Sequence, residues 1–197
     1  RMGHSADIAN ILDDFQAFRP TFILAVPRVF EKIYNKAQEQ AQASSSAKGK
    51  IFDAAADTAV AFSKASERGS VGLVLKAKHA VFDALVYKKL CTALGGECAM
   101  AISGGAPLGA RLGHFFSGVG IPVYEGYGLT ETTAPATVNT PDKVKIGTVG
   151  APLPAPVDQH VQHDRTFVAP LLGDGQLLCG VLFEQVRTAH LDDHPLN

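Results

Sequence analysis

The sequence predicts an α/β protein with an incomplete, mainly parallel sheet, flanking helices and an α-helical insert. Short apolar runs rich in strand-forming residues alternate with longer runs of helical periodicity. Two predicted strands lead into glycine-rich segments, and a strand-helix-strand order between them favours parallel pairing. The region over residues 28–90 has only helical periodicity, which predicts the insert.

The chain begins with a predicted helix over residues 8–18, where apolar side chains recur at helical spacing. Ser5 or Asp7 can cap the first amides of this helix. The next apolar run, residues 21–26, is rich in strand formers and predicts a buried strand. Pro27 follows that run and suits a first helical turn, so the insert is expected to start there.

Polar breaks divide the predicted insert. The first break is a small polar connection over residues 44–49, where three serines and a glycine follow a helical run. The second break is the Arg-Gly-Ser sequence at residues 68–70. The helices are predicted over residues 28–43 and 51–65, with a last one ending near residue 90.

After the insert, the pattern changes to strand, helix and strand. The strands are predicted over residues 98–102 and 121–124, with a helix over residues 108–116 between them. Ligands of parallel sheets collect beyond the carboxyl ends of the strands. The segments that follow these two strands are therefore the candidate binding elements.

Composition excludes several classes of function. The chain has 197 residues, 46% of them hydrophobic, which suffices for a packed core. A formal net charge of −1 gives no indication of nucleic-acid binding. Cys91, Cys98 and Cys179 lack metal-site spacing and predict reduced thiols. No apolar stretch is long enough for a transmembrane segment, so a cytoplasmic protein is expected.

One stretch, residues 124–132, has the composition of a nucleotide-phosphate site. Gly126 and Gly128 allow close backbone approach, and Tyr127 offers a flat face to a base. Thr130 can donate to a phosphate oxygen, and Glu131 provides a hard oxygen ligand for Mg²⁺. The alternative is a turn in which the Thr-Glu pair only starts a helix.

A second segment, residues 101–108, reads Ala-Ile-Ser-Gly-Gly-Ala-Pro-Leu. Both segments resemble the motifs that border the adenylate in adenylate-forming acyl-CoA synthetases of the AMP-binding superfamily. Residues 26–34 and 147–150 are also similar to that family, and residues 26–34 point to its long-chain fatty-acid branch. The resemblance runs to about residue 154, so residues 1–154 are expected to form part of the large N-terminal domain.

The resemblance implies a long-chain fatty-acid:CoA ligase, of which this chain is expected to be an internal fragment, inactive alone. Such an enzyme activates a long-chain fatty acid with ATP to acyl-AMP and then forms acyl-CoA. ATP, Mg²⁺ and CoA are the implied cofactors and co-substrates. The resemblance leaves peripheral contact with a membrane open.

The resemblance also implies roles for residues of both segments. Thr130 and Glu131 would be catalytic, with Thr130 on the α-phosphate and Glu131 on the metal. Tyr127 would stack on adenine, and Glu125 would accept from the adenine amino group. The residues implied in nucleotide binding are Gly104, Gly105, Ala106, Glu125, Gly126, Tyr127, Gly128, Leu129 and Thr130.

Two other functions stay open at the level of sequence. One is a fatty-acyl-AMP ligase or another adenylation domain, which passes the acyl group to a carrier protein. The other is a non-catalytic remnant. The phosphate loop, ribose-binding aspartate and catalytic lysine of the family have no assigned counterpart here. Residues 155–197 depart from the family pattern and are interpreted as an atypical tail, read out of frame or joined from another gene.

Overall fold

The computed structural model describes residues 2–5, 7–129 and 134–153. The described helices comprise a short 3-10 turn, six α-helices and one π-helical turn. In chain order they are the 3-10 turn Ile8–Asn10, α1 Ile11–Phe18, α2 Pro27–Ser44, α3 Ser46–Glu67, α4 Leu73–Phe82, the π turn Asp83–Tyr87, α5 Lys88–Ala93 and α6 Ala110–Val119. The described strands are β1 Phe22–Ala25, β2 Met100–Ser103, β3 Val123–Leu129, β4 Ala134–Val138 and β5 Ala151–Pro152.

The strands form one sheet in the order β1-β2-β3-β4-β5. The first three strands are parallel, and β3 places Glu125 opposite Ser103 of β2. The last three are antiparallel, and Gly126 of β3 lies opposite Val138 of β4. The predicted α/β fold with parallel strands, flanking helices and a helical insert is confirmed. Strands β4 and β5 were not predicted and make the sheet mixed.

Strand β1 corrects the prediction of a strand that is buried on both faces. Ile23 is buried, whereas Leu24 is 71% exposed and Phe22 is 46% exposed. Alternate residues of a strand point to opposite faces, so the helices cover only one face of β1. An apolar run that is uninterrupted in the sequence is therefore half exposed in this structure.

The predicted polar connection at residues 44–49 is also wrong in its extent. Only Ser45 leaves helical geometry, with φ −176° and ψ 153°. Its side-chain oxygen accepts from the amide of Lys48 at 3.2 Å and so caps α3. The serines therefore form a helix cap, and Gly49 lies buried within α3.

An aromatic cluster joins α2 of the insert to α6. The rings of Phe30 and Tyr34 on α2 pack edge-on against Phe116 and Phe115 of α6, with centroids 5.6 Å and 4.9 Å apart. Edge-to-face pairs of this kind are favourable beyond their buried area. Phe115 and Phe116 are buried, so the cluster is part of the core and fixes α6 against the insert.

A buried polar pair joins α3 to α6. The Nδ1 atom of His114 lies 3.0 Å from the hydroxyl of Ser63, and both side chains are buried. Burial lowers the pKa of His114, while Glu67 acts to raise it and Lys64 to lower it. The folded protein therefore holds His114 in its neutral form more strongly than the unfolded chain does.

We expect the chain to lose stability at mildly acidic pH because of this histidine. The unfolded state takes up the proton first, so the contribution of neutral His114 is full above about pH 6.5 and falls as the pH is lowered. Urea unfolding of wild type and His114→Gln between pH 7.5 and 5.5 measures this effect. The variant should show a smaller loss, and identical pH profiles would contradict the assignment.

None of the helices in the described ranges combines the length and apolar character needed to span a bilayer.

Candidate nucleotide site

The two candidate segments meet where β2 and β3 end their parallel pairing. Glu125 lies opposite Ser103, so both segments leave this pairing at the same level of the sheet. The amide of Gly104 donates to the carbonyl of Ala25 at 3.3 Å, which keeps the first residue after β2 in line with β1. A Cβ atom at Gly104 would lie 3.6 Å from the carbonyl oxygen of Gly126. The structure thus brings Gly104 and Gly126 together.

The turn between β2 and α6 presents an open wall beside β3. Gly105 has φ +84° and Gly109 has φ +83°, a backbone region that favours glycine. Gly105 and Ala106 are exposed, whereas Leu108 is buried beneath them. The exposed part of this turn is the part that the sequence implied in nucleotide binding.

Strand β3 extends further than predicted. Gly126, Tyr127, Gly128 and Leu129 lie in the strand rather than in a loop, and they pair with β4. The register shifts between Tyr127 and Gly128. The reason is the antiparallel partner strand, which supplies hydrogen bonds that the sequence pattern does not indicate. The four residues therefore stand on a paired strand, where position is better fixed than in a loop.

Thr130 and Glu131 lie outside the described residues, in the connection from β3 to β4. Their roles on the phosphate and the metal stay predictions. The tail over residues 155–197 also lies outside the described part of the chain.

Glu125 is buried and is therefore not a surface carboxylate. Its side chain is on β3, and the residue is 7% exposed. Its Oε1 atom accepts from the amide of Leu108 at 2.9 Å. Burial raises the pKa of Glu125, and the amides of Leu108 and Gly147 act to lower it. Its predicted contact with the adenine amino group stays a prediction.

The sequence analysis missed Asn139, which lies directly after β4 and is 4% exposed. Its Nδ2 atom donates to the carbonyls of Glu125 and Thr148, and its Oδ1 accepts from the amide of Lys145 at 3.0 Å. Asn139 therefore fastens the turn at residues 147–150 to β3. The sequence signal was weak, because an asparagine before Thr-Pro-Asp indicates only a turn.

Within the described ranges, no three His, Cys, Asp or Glu side chains lie close enough together to hold a metal ion. A magnesium ion that arrives with ATP needs no such group, because phosphates, water and one or two carboxylates suffice. The carboxylate that the sequence offers as a ligand of this magnesium ion is that of Glu131. A single glutamate is sufficient for a magnesium ion that is also bound by phosphates and water.

The sequence profile of the family described as "AMP-binding enzyme" matches residues 2–175. The chain belongs to this family. The family match passes residue 154, where the resemblance was expected to end. The predicted division at residue 154 and the interpretation of the tail stay predictions.

Curated relatives of this family member are fatty-acid ligases. The chain is 55% identical over 153 residues to "Long-chain-fatty-acid--CoA ligase FadD15" of Mycobacterium bovis, which covers 78% of this chain and 25% of that protein. It is 36% identical over 149 residues to "Long-chain-fatty-acid--CoA ligase 6" of Rattus norvegicus, with 75% of this chain and 20% of that protein covered. The chain thus spans about a quarter or less of the length of these relatives.

Among solved structures, the anthranilate CoA ligase AuaEII in complex with anthranoyl-AMP aligns with a TM-score of 0.41 and 15% identity. The alignment covers 76% of this chain and 19% of that chain.

Proposed function

We propose that this chain forms the adenine-binding side of the nucleotide site in a long-chain fatty-acid:CoA ligase. The observation that carries the proposal is 55% identity over 153 residues to a protein named as such a ligase. The meeting of the two candidate segments at the ends of β2 and β3 supports it, because ligands bind at such strand ends. The relatives are named as CoA ligases, so transfer to a carrier protein and a non-catalytic remnant are not favoured.

The proposed reaction has two halves. A fatty carboxylate attacks the α-phosphate of ATP to give acyl-AMP and pyrophosphate, and the thiol of CoA then displaces AMP. Negative charge builds up at the α-phosphate in the first half, so fixed hydrogen-bond donors there lower the barrier. Magnesium enters with ATP as part of the substrate and neutralises phosphate charge.

The residues of this chain divide between binding and catalysis in this proposal. Thr130 donates to the α-phosphate, and the carboxylate of Glu131 holds the magnesium of the substrate. Tyr127 packs against the adenine ring. The turn at residues 104–106 forms the opposite wall, and its exposure in the structure supports this placement. The paired strand under Tyr127 supports a fixed position for the base.

A chimera tests the proposed function. The 153 residues of the Mycobacterium bovis ligase that align with this chain are replaced by those of this chain. We expect the chimera to catalyse ATP–pyrophosphate exchange that depends on a long-chain fatty acid, and to form acyl-CoA when CoA is added. The native ligase is the positive control. A folded chimera without fatty-acid-dependent exchange would refute the proposal.

We also propose that the protein is cytoplasmic and makes peripheral contact with a membrane. The exposed surface of α4 supports the membrane contact. Leu73 and Val74 are 83% and 73% exposed, and Lys76 and Lys78 beside them are exposed. Exposed apolar side chains flanked by lysines are typical of helices that lie on anionic lipid surfaces.

Sedimentation of the chain with vesicles tests this contact. We expect more binding to phosphatidylglycerol vesicles than to phosphatidylcholine vesicles, because lysines favour anionic lipid. The double variant Leu73→Ser, Val74→Ser should bind several-fold less. The exposed pair Lys143→Gln, Lys145→Gln is the control away from α4 and should bind almost as wild type. Equal binding by wild type and the α4 variant would exclude this surface.

A further inference from the structure

The buried carboxylate of Glu125 lies where the three segments that resemble family motifs meet. Its Oε1 atom accepts from the amide of Leu108, at the end of the glycine turn, at 2.9 Å. Glu125 itself belongs to β3, which carries Tyr127. Its side chain therefore connects the glycine turn to the strand beside it.

The backbone of Glu125 adds a fourth segment to this junction. Its carbonyl oxygen accepts from the amide of Asn139 at 3.0 Å, and the Asn139 side chain approaches the same oxygen at 3.4 Å. Glu125 is also the last residue of β3 that pairs with β2, and Gly126 is the first that pairs with β4. The same Asn139 side chain donates to the carbonyl of Thr148, so the turn at residues 147–150 reaches β3 through Asn139. The strand thus changes partners at the residue whose side chain holds the glycine turn.

A side chain that accepts hydrogen bonds suits this junction. The amide of Leu108 is a buried N–H donor, and an ionised carboxylate has two oxygens that only accept. Glutamine keeps one accepting oxygen and can keep this hydrogen bond, without the assistance of a charge. Alanine would leave the amide of Leu108 without an acceptor in a buried place.

Burial makes this carboxylate expensive to keep ionised. Burial raises the pKa of Glu125, and its hydrogen bond with the amide of Leu108 opposes that effect. A buried carboxylate carries a desolvation cost that an apolar residue at the same place would avoid. Its value lies in the position that it imposes on the glycine turn.

We infer that Glu125 is a positioning residue that holds the glycine turn against β3 before the nucleotide binds. It acts through the main chain of this turn and sets the width of the site beside Tyr127. This inference rests on the proposed function for its effect on ATP. The hydrogen bond that it requires belongs to the chain itself.

Amide exchange measured by NMR on the 197-residue chain tests the junction without any activity. We expect Glu125→Ala to speed exchange at Leu108 at least tenfold more than at amides of α3 and at Lys145, whose amide donates to Asn139. Glu125→Gln should keep most of the protection at Leu108. His114→Gln, which weakens the α3–α6 contact instead, should not single out the glycine turn. Unchanged protection of Leu108 in Glu125→Ala would overturn the inference.

Kinetics of the chimera then test the effect on the site. We expect Glu125→Ala to raise KM for ATP about tenfold, as the loss of one buried hydrogen bond predicts, with a smaller change in kcat, and Glu125→Gln to stay closer to wild type. His114→Gln should lower only the amount of folded enzyme and leave KM as it is. An unchanged KM in Glu125→Ala would overturn the positioning role. An inactive wild-type chimera would instead refute the proposed function, and the exchange experiment would still decide the role of Glu125.

Discussion

Gly118→Ala will destabilise the folded chain by about 3 kcal/mol, the upper end of what overpacking commonly costs. Gly118 lies near the end of α6, where that helix crosses α3. A Cβ atom there would lie 2.6 Å from the carbonyl carbon and 2.9 Å from the Cα of Ala59, and it would overlap the carbonyl oxygen. These atoms belong to the backbone of α3, so the two helices would have to separate.

The separation would also disturb nearby contacts. The Nε2 atom of His79 lies 2.6 Å from the carbonyl oxygen of Gly118, so α4 is tied to the same end of α6. Urea unfolding at pH 7.5 measures the loss of free energy. A change below about 1 kcal/mol would show that the helices cross less closely than described.

Gly49→Ala is the matched control. Gly49 is also a buried glycine within a helix, and a Cβ atom there would lie 2.9 Å from Cγ of Gln42. The obstacle is an exposed, flexible side chain that can rotate away. Alanine is favoured over glycine in a helix by about 1 kcal/mol, so this variant should be as stable as wild type or slightly more stable. A large loss at both positions would point to a general intolerance of the insert.

Glu131→Ala will lower fatty-acid-dependent pyrophosphate exchange of the chimera by about 30- to 1000-fold. This range corresponds to the roughly 2 to 4 kcal/mol that one preorganised electrostatic group contributes. The physical reason is the proposed loss of the carboxylate that holds the magnesium of ATP. Unchanged adenylation kinetics would refute this role.

Neighbouring variants sharpen that experiment. Thr130→Ala should lose less, about the 1.5 to 3 kcal/mol of one charge-assisted hydrogen bond. Asp142→Ala is the control, because Asp142 is an exposed acid of the loop after β4 that has no proposed contact with the substrate. If Asp142→Ala slows the exchange as much as Glu131→Ala, general negative charge near the site would explain both.

The sequence pattern correctly predicted helices whose apolar periodicity is visible in a short stretch of the chain. The helices near residues 8–18 and 28–43 appear close to the expected positions as α1 and α2. Their apolar periodicity is a property of neighbouring residues and is visible without the fold. The connection predicted over residues 44–49 was too long, because serine breaks a helix in one context and caps one in another. Only Ser45 leaves helical geometry.

Pairing over long distances along the chain explains most of the errors. The continuation of β3 through Tyr127 depends on β4, and the exposure of Leu24 depends on which helices cover β1. The hydrogen bonds of Asn139 connect a residue after β4 to carbonyls that no periodicity indicates. These features follow from contacts between segments, which composition and spacing do not record.

The sequence by itself determined the family, the α/β class and the segments that border the candidate site. The reason is that glycine spacing and apolar periodicity are patterns of residues that lie close together along the chain. Only the tertiary structure decided that Glu125 is buried and holds the glycine turn. A side chain on β3 reaches the amide of Leu108 only after the sheet has brought these segments together. The physical reason is that a hydrogen bond depends on the distance and direction of its two groups in space.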